Sequence, residues 1–360
     1  MAETAKRILI VRLSAIGDVL RVLPAMQVLK KNYPESHIGW VVEAGAKDIL
    51  EAHPDIDEVF VFPKREIVQQ LRSGRNLWAG IVQFRAFMQR IRVKRYDLVI
   101  DFHGLFKSGI ISYLSGAPER VGFARGFCRE FNFLFTNRHV ELEKKRLNRV
   151  DRNLLLLQGL GLDVAHRPPV LHVPEDDQRI VRRFFTEQGF DPGRPIIAVH
   201  PGTSSTTPYK RWDPYRYAVV ADQIIEAHAV QVVFTWAGAE RGMVDEITGL
   251  MKHRAVVAPE TENLCQLAEI FLNCDLYLGS DTGPMHLAAF AGIPVVAVFG
   301  PTDVVVNEPY AQTPHIIIRK ETACSPCRKY DCRKRTCMKE ITAESVVRGV
   351  NMMLDSIKQR

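Results

Sequence analysis

Apolar residues gather along this chain in short dense runs, separated by stretches in which apolar positions return every three or four residues. In the first half the runs are RILIVR, HIGWVV, EVFVF and YDLVIDF, with shorter segments containing RVGF and RHVEL. Rich in β-branched residues and bounded by polar turns, they read as strands. The stretches between them read as helices: residues 18–32, a short one near Ala46, a long basic region over 64–95, one around 108–114, and VDRNLLLLQGLG. Strand and helix alternating in this way predict a parallel sheet covered on both faces.

The proline-rich segment HRPPVLHVP, 166–174, interrupts the alternation and predicts a linker. A second series follows: PIIAVHPG, a helix over 214–228, VQVVFTWAG, a helix from about Gly242, AVVAP, CDLYLGS, PVVAVFG and HIIIRK. The expected organisation is α/β, two doubly wound domains over 1–165 and 178–340 joined by a linker at 166–177. A terminal amphipathic helix in 341–360 is expected to pack back on the first domain.

In open parallel sheets, ligands bind beyond the carboxyl ends of the strands. The polar motifs fall at those places. Ser14-Ala15-Ile16-Gly17-Asp18 follows the first strand and His200-Pro201-Gly202-Thr203-Ser204 the first strand of the second series. Trp236 to Glu240 and Gly279-Ser280-Asp281-Thr282-Gly283-Pro284 also follow strands. The last of these joins residue types that cap helices to a proline suited to a first turn and a glycine that lets amides approach a ligand. Such a turn favours phosphate, and equally makes an ordinary capped helix. The first turn lacks GxGxxG, which argues against a nicotinamide enzyme.

Composition adds compartment and charge. The chain has 360 residues, 46% hydrophobic and 25% charged, enough for about two domains with real cores. The N-terminal sequence has no apolar run of signal-peptide length, and no segment is long enough to span a bilayer, so a cytoplasmic location is expected. Net charge is +7, unevenly spread: residues 1–150 hold 25 Lys and Arg against 16 Asp and Glu, residues 151–300 hold 12 against 18. The densest basic run, 64–95, predicts either a face for phosphorylated molecules, anionic lipid or nucleic acid, or a solvated helix. Four of the seven cysteines, Cys324, Cys327, Cys332 and Cys337, cluster in CSPCRKYDCRKRTC. In a cytosolic protein such thiols suggest metal before disulfides, but the spacing is unlike paired CxxC knuckles, and a metal-free loop is the favoured reading. Asp55-Ile56-Asp57 matches a metal-binding DxD formally, yet it precedes a strand and reads as a turn.

Five ordered motifs, RILIVRLSAIGDVLRVLPAMQVLKKNYP, DLVIDFHGLFKS, AVHPGTSSTTPYKRW, GAE and GSDTGPMHLAAFAGIPVVAVFGPT, resemble the family 9 glycosyltransferases, whose best-known members are lipopolysaccharide heptosyltransferases. The resemblance covers most of the chain. It implies a GT-B fold, two Rossmann-like domains with the active site between them. It further implies inverting, metal-independent transfer of heptose from ADP-L-glycero-D-manno-heptose to the lipopolysaccharide inner core, a Kdo-lipid A type acceptor. No cofactor is implied beyond the donor substrate, and association with the inner membrane surface is expected to be loose and peripheral.

By that resemblance Asp18 is the general base, although Asp at this place also suits a helix cap. Lys210 contacts the donor phosphate, a role its sequence context alone does not assign. Glu240 holds the donor ribose, or serves as a helix-start carboxylate. Asp281, Thr282, Gly283 and His286 form the donor turn, with His286 equally suited to a structural role, and Thr203 and Ser204 supply further donors or a plain turn. Lys64, Arg65, Lys107 and Arg120 are the acceptor-side cations. Arg21 stands where a small or apolar residue is frequent in the family. A nucleotide-sugar epimerase or hydrolase of similar architecture is the rival enzyme reading. A nucleic-acid-binding module is the rival from another class; the cysteines have no zinc-finger spacing, so no nucleic-acid partner is expected.

Overall fold

The computed structural model describes residues 6–72, 77–164, 170–327 and 332–358. The chain divides into two compact units, Met1–His172 and Val173–Arg360.

The first unit is built on β1 (Arg7–Val11), β2 (His37–Glu43), β3 (Glu58–Phe62), β4 (Leu98–Asp101), β5 (Glu119–Phe123) and β6 (Arg138–Val140). Their order is β3-β2-β1-β4-β5-β6, and every pairing is parallel. β1 is buried along nearly its whole length, as a strand covered on both faces must be. The second unit contains β7 (Ile196–His200), β8 (Gln231–Phe234), β9 (Val256–Val257), β10 (Leu276–Ser280), β11 (Val295–Phe299) and β12 (His315–Arg319). Its order, β12-β11-β10-β7-β8-β9, repeats that of the first unit when counted from its own first strand. Each sheet reverses direction beside its first strand, between β1 and β4 and between β7 and β10. Such reversals are where connections diverge and where open parallel sheets ordinarily bind ligands.

Local chemistry modifies the expected elements. The helix expected over 18–32 is two, Ile16–Leu20 and Leu23–Asn32, because Pro24 in the first turn of the second has no N–H to continue the ladder. The formal DxD is structural: Asp57 accepts the Ile38 N–H at 2.7 Å, tying the start of β3 to β2. Residues 166–169 of the expected linker lie outside the described residues, and its last three residues open the helix Glu175–Glu187.

The terminal helix Ala343–Lys358 was expected on the first domain; it packs instead on the helix Pro214–His228 and on β11 and β12 of the second unit. Its apolar stripe explains why: Val346, Val350, Met353 and Leu354 enter the same core cluster as Ile224, Val232 and Leu276. Trp212 reinforces the attachment by donating its indole N–H to the Ile341 carbonyl at 3.1 Å. Leu354→Ala should therefore cost the second unit about 2–5 kcal/mol, read as a lower urea midpoint with an unchanged slope.

His53 is buried, and its ring meets His172 edge-on at 4.9 Å between centroids. Its Nδ1 accepts the Asp55 N–H at 3.2 Å, which requires the neutral ring. Burial foremost, then His172, pushes its pKa from 6.5 down to about 4. Below about pH 6.5 the unfolded chain takes up a proton that the folded ring refuses, so stability falls as pH drops toward 4. The contribution is up to about 1.4 kcal/mol per pH unit. Urea unfolding at pH 7 and pH 5 should show that slope, reduced in His53→Leu.

Candidate functional site

In the first unit the polar side chains converge beyond β1 and β4. Asp18 is the third residue of the helix Ile16–Leu20, whose cap position is Ala15, so its carboxylate is not occupied in capping. It is gripped by arginines instead. Arg12, the residue after β1, reaches one oxygen at 2.5 Å; Arg21 reaches the other at 3.1 Å, and Arg149 approaches that oxygen at 3.7 Å. Arg12 is buried and donates also to the Phe102 carbonyl at 2.9 Å. Burial is the largest influence on its guanidinium and lowers its pKa, against the attraction of Asp18. Arg21, the residue at odds with the family pattern, thus has a place: one hand of the grip.

Arg152 adds a further cation, its guanidinium stacked 3.5 Å from the Phe123 ring centroid. Burial first, then Arg149 and Arg12, lowers its pKa to about 9. His103 is held neutral, pushed down to about 3 by burial, Arg12 and Lys107, and its Nδ1 accepts the Leu13 N–H at 3.3 Å.

Asp101 at the end of β4 organises this loop. It is fully buried, accepts the N–H groups of His103 and Gly104 at 2.9 and 3.0 Å, and accepts Asn132 Nδ2 at 2.7 Å. Burial raises its pKa despite these donors. Gly104 completes the turn at φ +70°, where a side chain would be strained.

Two of the expected acceptor-side cations meet at one carboxylate. Lys64 and Lys107 each reach Glu43, at the end of β2, at 2.8 Å. Burial works to raise the Glu43 pKa, but the two ammonium groups outweigh it and hold the carboxyl below its usual range. An open pocket of about 780 Å³ adjoins them, lined by Gly45, Phe62, Lys64, Arg65 and Val68 among others. Arg120 is not brought to this group. It lies near the amino end of β5, at the other edge of the sheet, and donates to the carbonyls of Phe135 at 3.1 Å and Ala117 at 2.7 Å.

In the second unit the expected donor residues gather beyond β7 and β10. Lys210 contacts Asp281 twice, at 2.8 Å to the carboxylate and 3.1 Å to the carbonyl. His286 Nε2 stands 3.9 Å from the other carboxylate oxygen, and both Asp281 and His286 are buried. Thr282 is the cap residue of the helix Gly283–Phe290, whose first turn contains Pro284; the Thr282 hydroxyl donates to the Ser280 carbonyl at 3.3 Å. The N–H groups of this turn are the orphan donors that a helix presents to an anion.

Glu240 accepts the Ala237 N–H at 3.0 Å and lies 3.4 Å from His200 Nε2, while His200 Nδ1 contacts the Thr235 hydroxyl at 2.9 Å. Its carboxyl lies so close over Gly202 that a Cβ there would fall 2.2 Å from Glu240 Cδ. Thr203 is internal: its hydroxyl donates to the Thr207 carbonyl at 3.2 Å and accepts from Arg211 Nε at 3.1 Å. Ser204 is exposed and its hydroxyl meets that of Thr206 at 3.0 Å.

Among the described residues no group of three or more His, Cys, Asp or Glu is gathered so as to hold a metal, and that covers all four clustered cysteines. Cys324 is exposed and Cys337 buried, its thiol pushed up by burial first and then by the other three.

Sequence reasoning assigned no role to Arg12, Arg149, Arg152, Asp101, Glu43 or His200. Position alone could have flagged four of them, since Arg12, Asp101, Glu43 and His200 end or immediately follow strands.

The family model for glycosyltransferase family 9 (heptosyltransferase) matches residues 84–338. The lipopolysaccharide core heptosyltransferase OpsX of Haemophilus influenzae is 26% identical over 317 residues, 88% of this chain and 85% of that protein. A glycosyltransferase family 9 structure from Veillonella parvula superposes with a TM-score of 0.84 at 25% identity, over 99% of both chains. The ADP-heptose lipopolysaccharide heptosyltransferase II structure from Escherichia coli gives 0.75 at 23% identity, over 98% of this chain and 99% of that one. The fold is thus GT-B, with the same strand order in both units. With a family match over well more than half its length, on that frame, this chain belongs to the family 9 glycosyltransferases, the heptosyltransferases.

Proposed function

We propose that the chain transfers heptose from ADP-L-glycero-D-manno-heptose to the inner core of lipopolysaccharide, with inversion, at the membrane surface where that acceptor is anchored. The observation that carries the reading is Asp18, a carboxylate held by Arg12, Arg21 and Arg149 at the switch point of the first sheet. A base fixed by three guanidiniums keeps one orientation toward an incoming hydroxyl. The surrounding excess of cations over carboxylates, Arg152 included, suits an acceptor rich in carboxylate and phosphate. Lys64, Arg65 and Lys107 extend that preference along the Glu43 pocket; we assign Arg120 to holding the loop.

In the reaction the acceptor oxygen forms a bond to the anomeric carbon, its proton passes to Asp18, and the bond from that carbon to the diphosphate breaks with ADP leaving. Lys210 carries three N–H donors and places two on Asp281, leaving one for the departing phosphate. The amides of Thr282 and Gly283 complement it, Asp281 accepts from sugar hydroxyls, and Glu240 accepts from the ribose. Thr203 acts by shaping the 203–211 loop, with Ser204 at its exposed side, and His286 by steadying Asp281.

The deciding experiment is transfer from ADP-heptose to a panel of truncated lipopolysaccharide cores. Release of free or epimerised sugar without acceptor would favour the hydrolase or epimerase reading. Asp18→Asn should lower turnover by about two to four orders of magnitude with donor affinity retained by calorimetry; wild-type turnover removes the base assignment. Lys210→Ala should weaken donor binding and transfer together. It should also lower second-unit stability by about 1–3 kcal/mol, because Asp281 stays buried without its main cation. Lys210→Arg should recover more of the stability than of the donor affinity.

A further inference from the structure

The helix Leu77–Arg92 is apolar on two sides, and among the described residues only one is covered within its unit. Phe87, Met88 and Ile91 are buried in a core cluster with Leu9, Val41 and Val99, and Phe84 packs against it. On the outward face, at the i, i+3, i+4 spacing of neighbours on a helix, Trp78 is 78% exposed, Ile81 45% and Val82 62%. A surface helix ordinarily turns polar residues outward, and a tryptophan this exposed beside two aliphatic side chains is an apolar patch that calls for an occupant. Arg85 and Arg90 follow on the exposed side, and neither is in an ion pair among the described residues. From Lys64 to Arg92 the sequence holds seven basic residues against the single acidic Glu66. The helix Lys64–Arg72 packs on the same element, and its Val68, 37% exposed, also lines the Glu43 pocket.

We propose that this face docks on an anionic lipid bilayer, with Trp78, Ile81 and Val82 entering the headgroup boundary and Arg85, Arg90 and Arg65 meeting lipid phosphates. The proposal rests on the reading of the acceptor as a membrane-anchored lipopolysaccharide precursor and names the surface that would bring the chain to it. Charge complementarity selects the occupant. Tryptophan beside arginine is the pairing an interfacial helix uses, apolar body in the acyl boundary and cation at the phosphate. A second copy of the chain is a poorer fit, since a two-fold contact through this face would oppose arginines to arginines. Continuity with the pocket through Val68 gives an amphiphilic acceptor one path, sugar at Glu43, Lys64 and Lys107, and lipid toward the bilayer. No helix among the described residues is long and apolar enough to cross a membrane, so attachment through this face would be peripheral.

The test uses the full chain with vesicles of phosphatidylglycerol and phosphatidylethanolamine, and with phosphatidylcholine alone. Wild type should bind the anionic vesicles in a salt-sensitive way and shift tryptophan emission to the blue. That signal would come from Trp78, because Trp40 and Trp212 are buried and Trp236 is half-buried. Trp78→Ser with Val82→Ser, and separately Arg85→Glu with Arg90→Glu, should each lower the partition coefficient by about tenfold or more. Both variants should keep wild-type transfer to a delipidated core oligosaccharide and lose transfer to vesicle-embedded acceptor. Unchanged vesicle binding in the Trp78 variant overturns the proposal. So does equal binding of wild type to neutral vesicles, or a dimer that Trp78→Ser abolishes in a chain that binds no vesicles. Vesicle binding lost as expected, in a protein that transfers to no core at all, would refute the functional reading and leave the docking surface standing.

Discussion

Both units depend on one constraint. A parallel sheet covered by helices leaves no room for a polar side chain on either face, so charge can collect only where strands end. β1, β4, β7 and β10 are apolar almost throughout and then give way, within a residue or so, to Arg12, Asp101, His200 and Asp281. Because the strands run the same way, those residues share one edge of each sheet. Arg120, near the amino end of β5, shows the converse: a cation of the same type on the same sheet is turned to the backbone carbonyls of Ala117 and Phe135, in the loops before and after its own strand.

Within that frame the two sites use opposite electrostatic designs. Beside β1, guanidiniums outnumber the carboxylate they hold, and burial depresses the pKa of Arg12 and Arg152. Such a site is left wanting an anion. Beside β10, Lys210 and Asp281 balance each other, and Glu240 is seated over Gly202 against His200. That site offers directed hydrogen bonds more than net charge.

Alternating apolar runs with polar breaks made the strands and the doubly wound order legible, because burial on both faces writes itself as continuous hydrophobicity. Motif resemblance singled out Asp18, Lys210 and Asp281 as candidates. What could not be read were partners distant in sequence. Nothing near Asp18 announces Arg149, and nothing near Lys64 announces that it shares Glu43 with Lys107. The terminal helix was misplaced for the same reason: its stripe declares that it is buried, not against what. Thr203 is a finer case, a residue type able to bind phosphate whose hydroxyl the fold directs inward to Thr207.

Glu43 shows what such hidden partners change. A carboxylate seated between Lys64 and Lys107 acts as an internal counterion, occupying the place that a dissolved anion would otherwise take. An anion arriving there would exchange with a tethered group instead of releasing salt ions to bulk. Anion binding at this pair would then be an exchange of like for like, governed by geometry and nearly indifferent to ionic strength, while Arg85 and Arg90 of the neighbouring helix, in no ion pair among the described residues, stay fully subject to it.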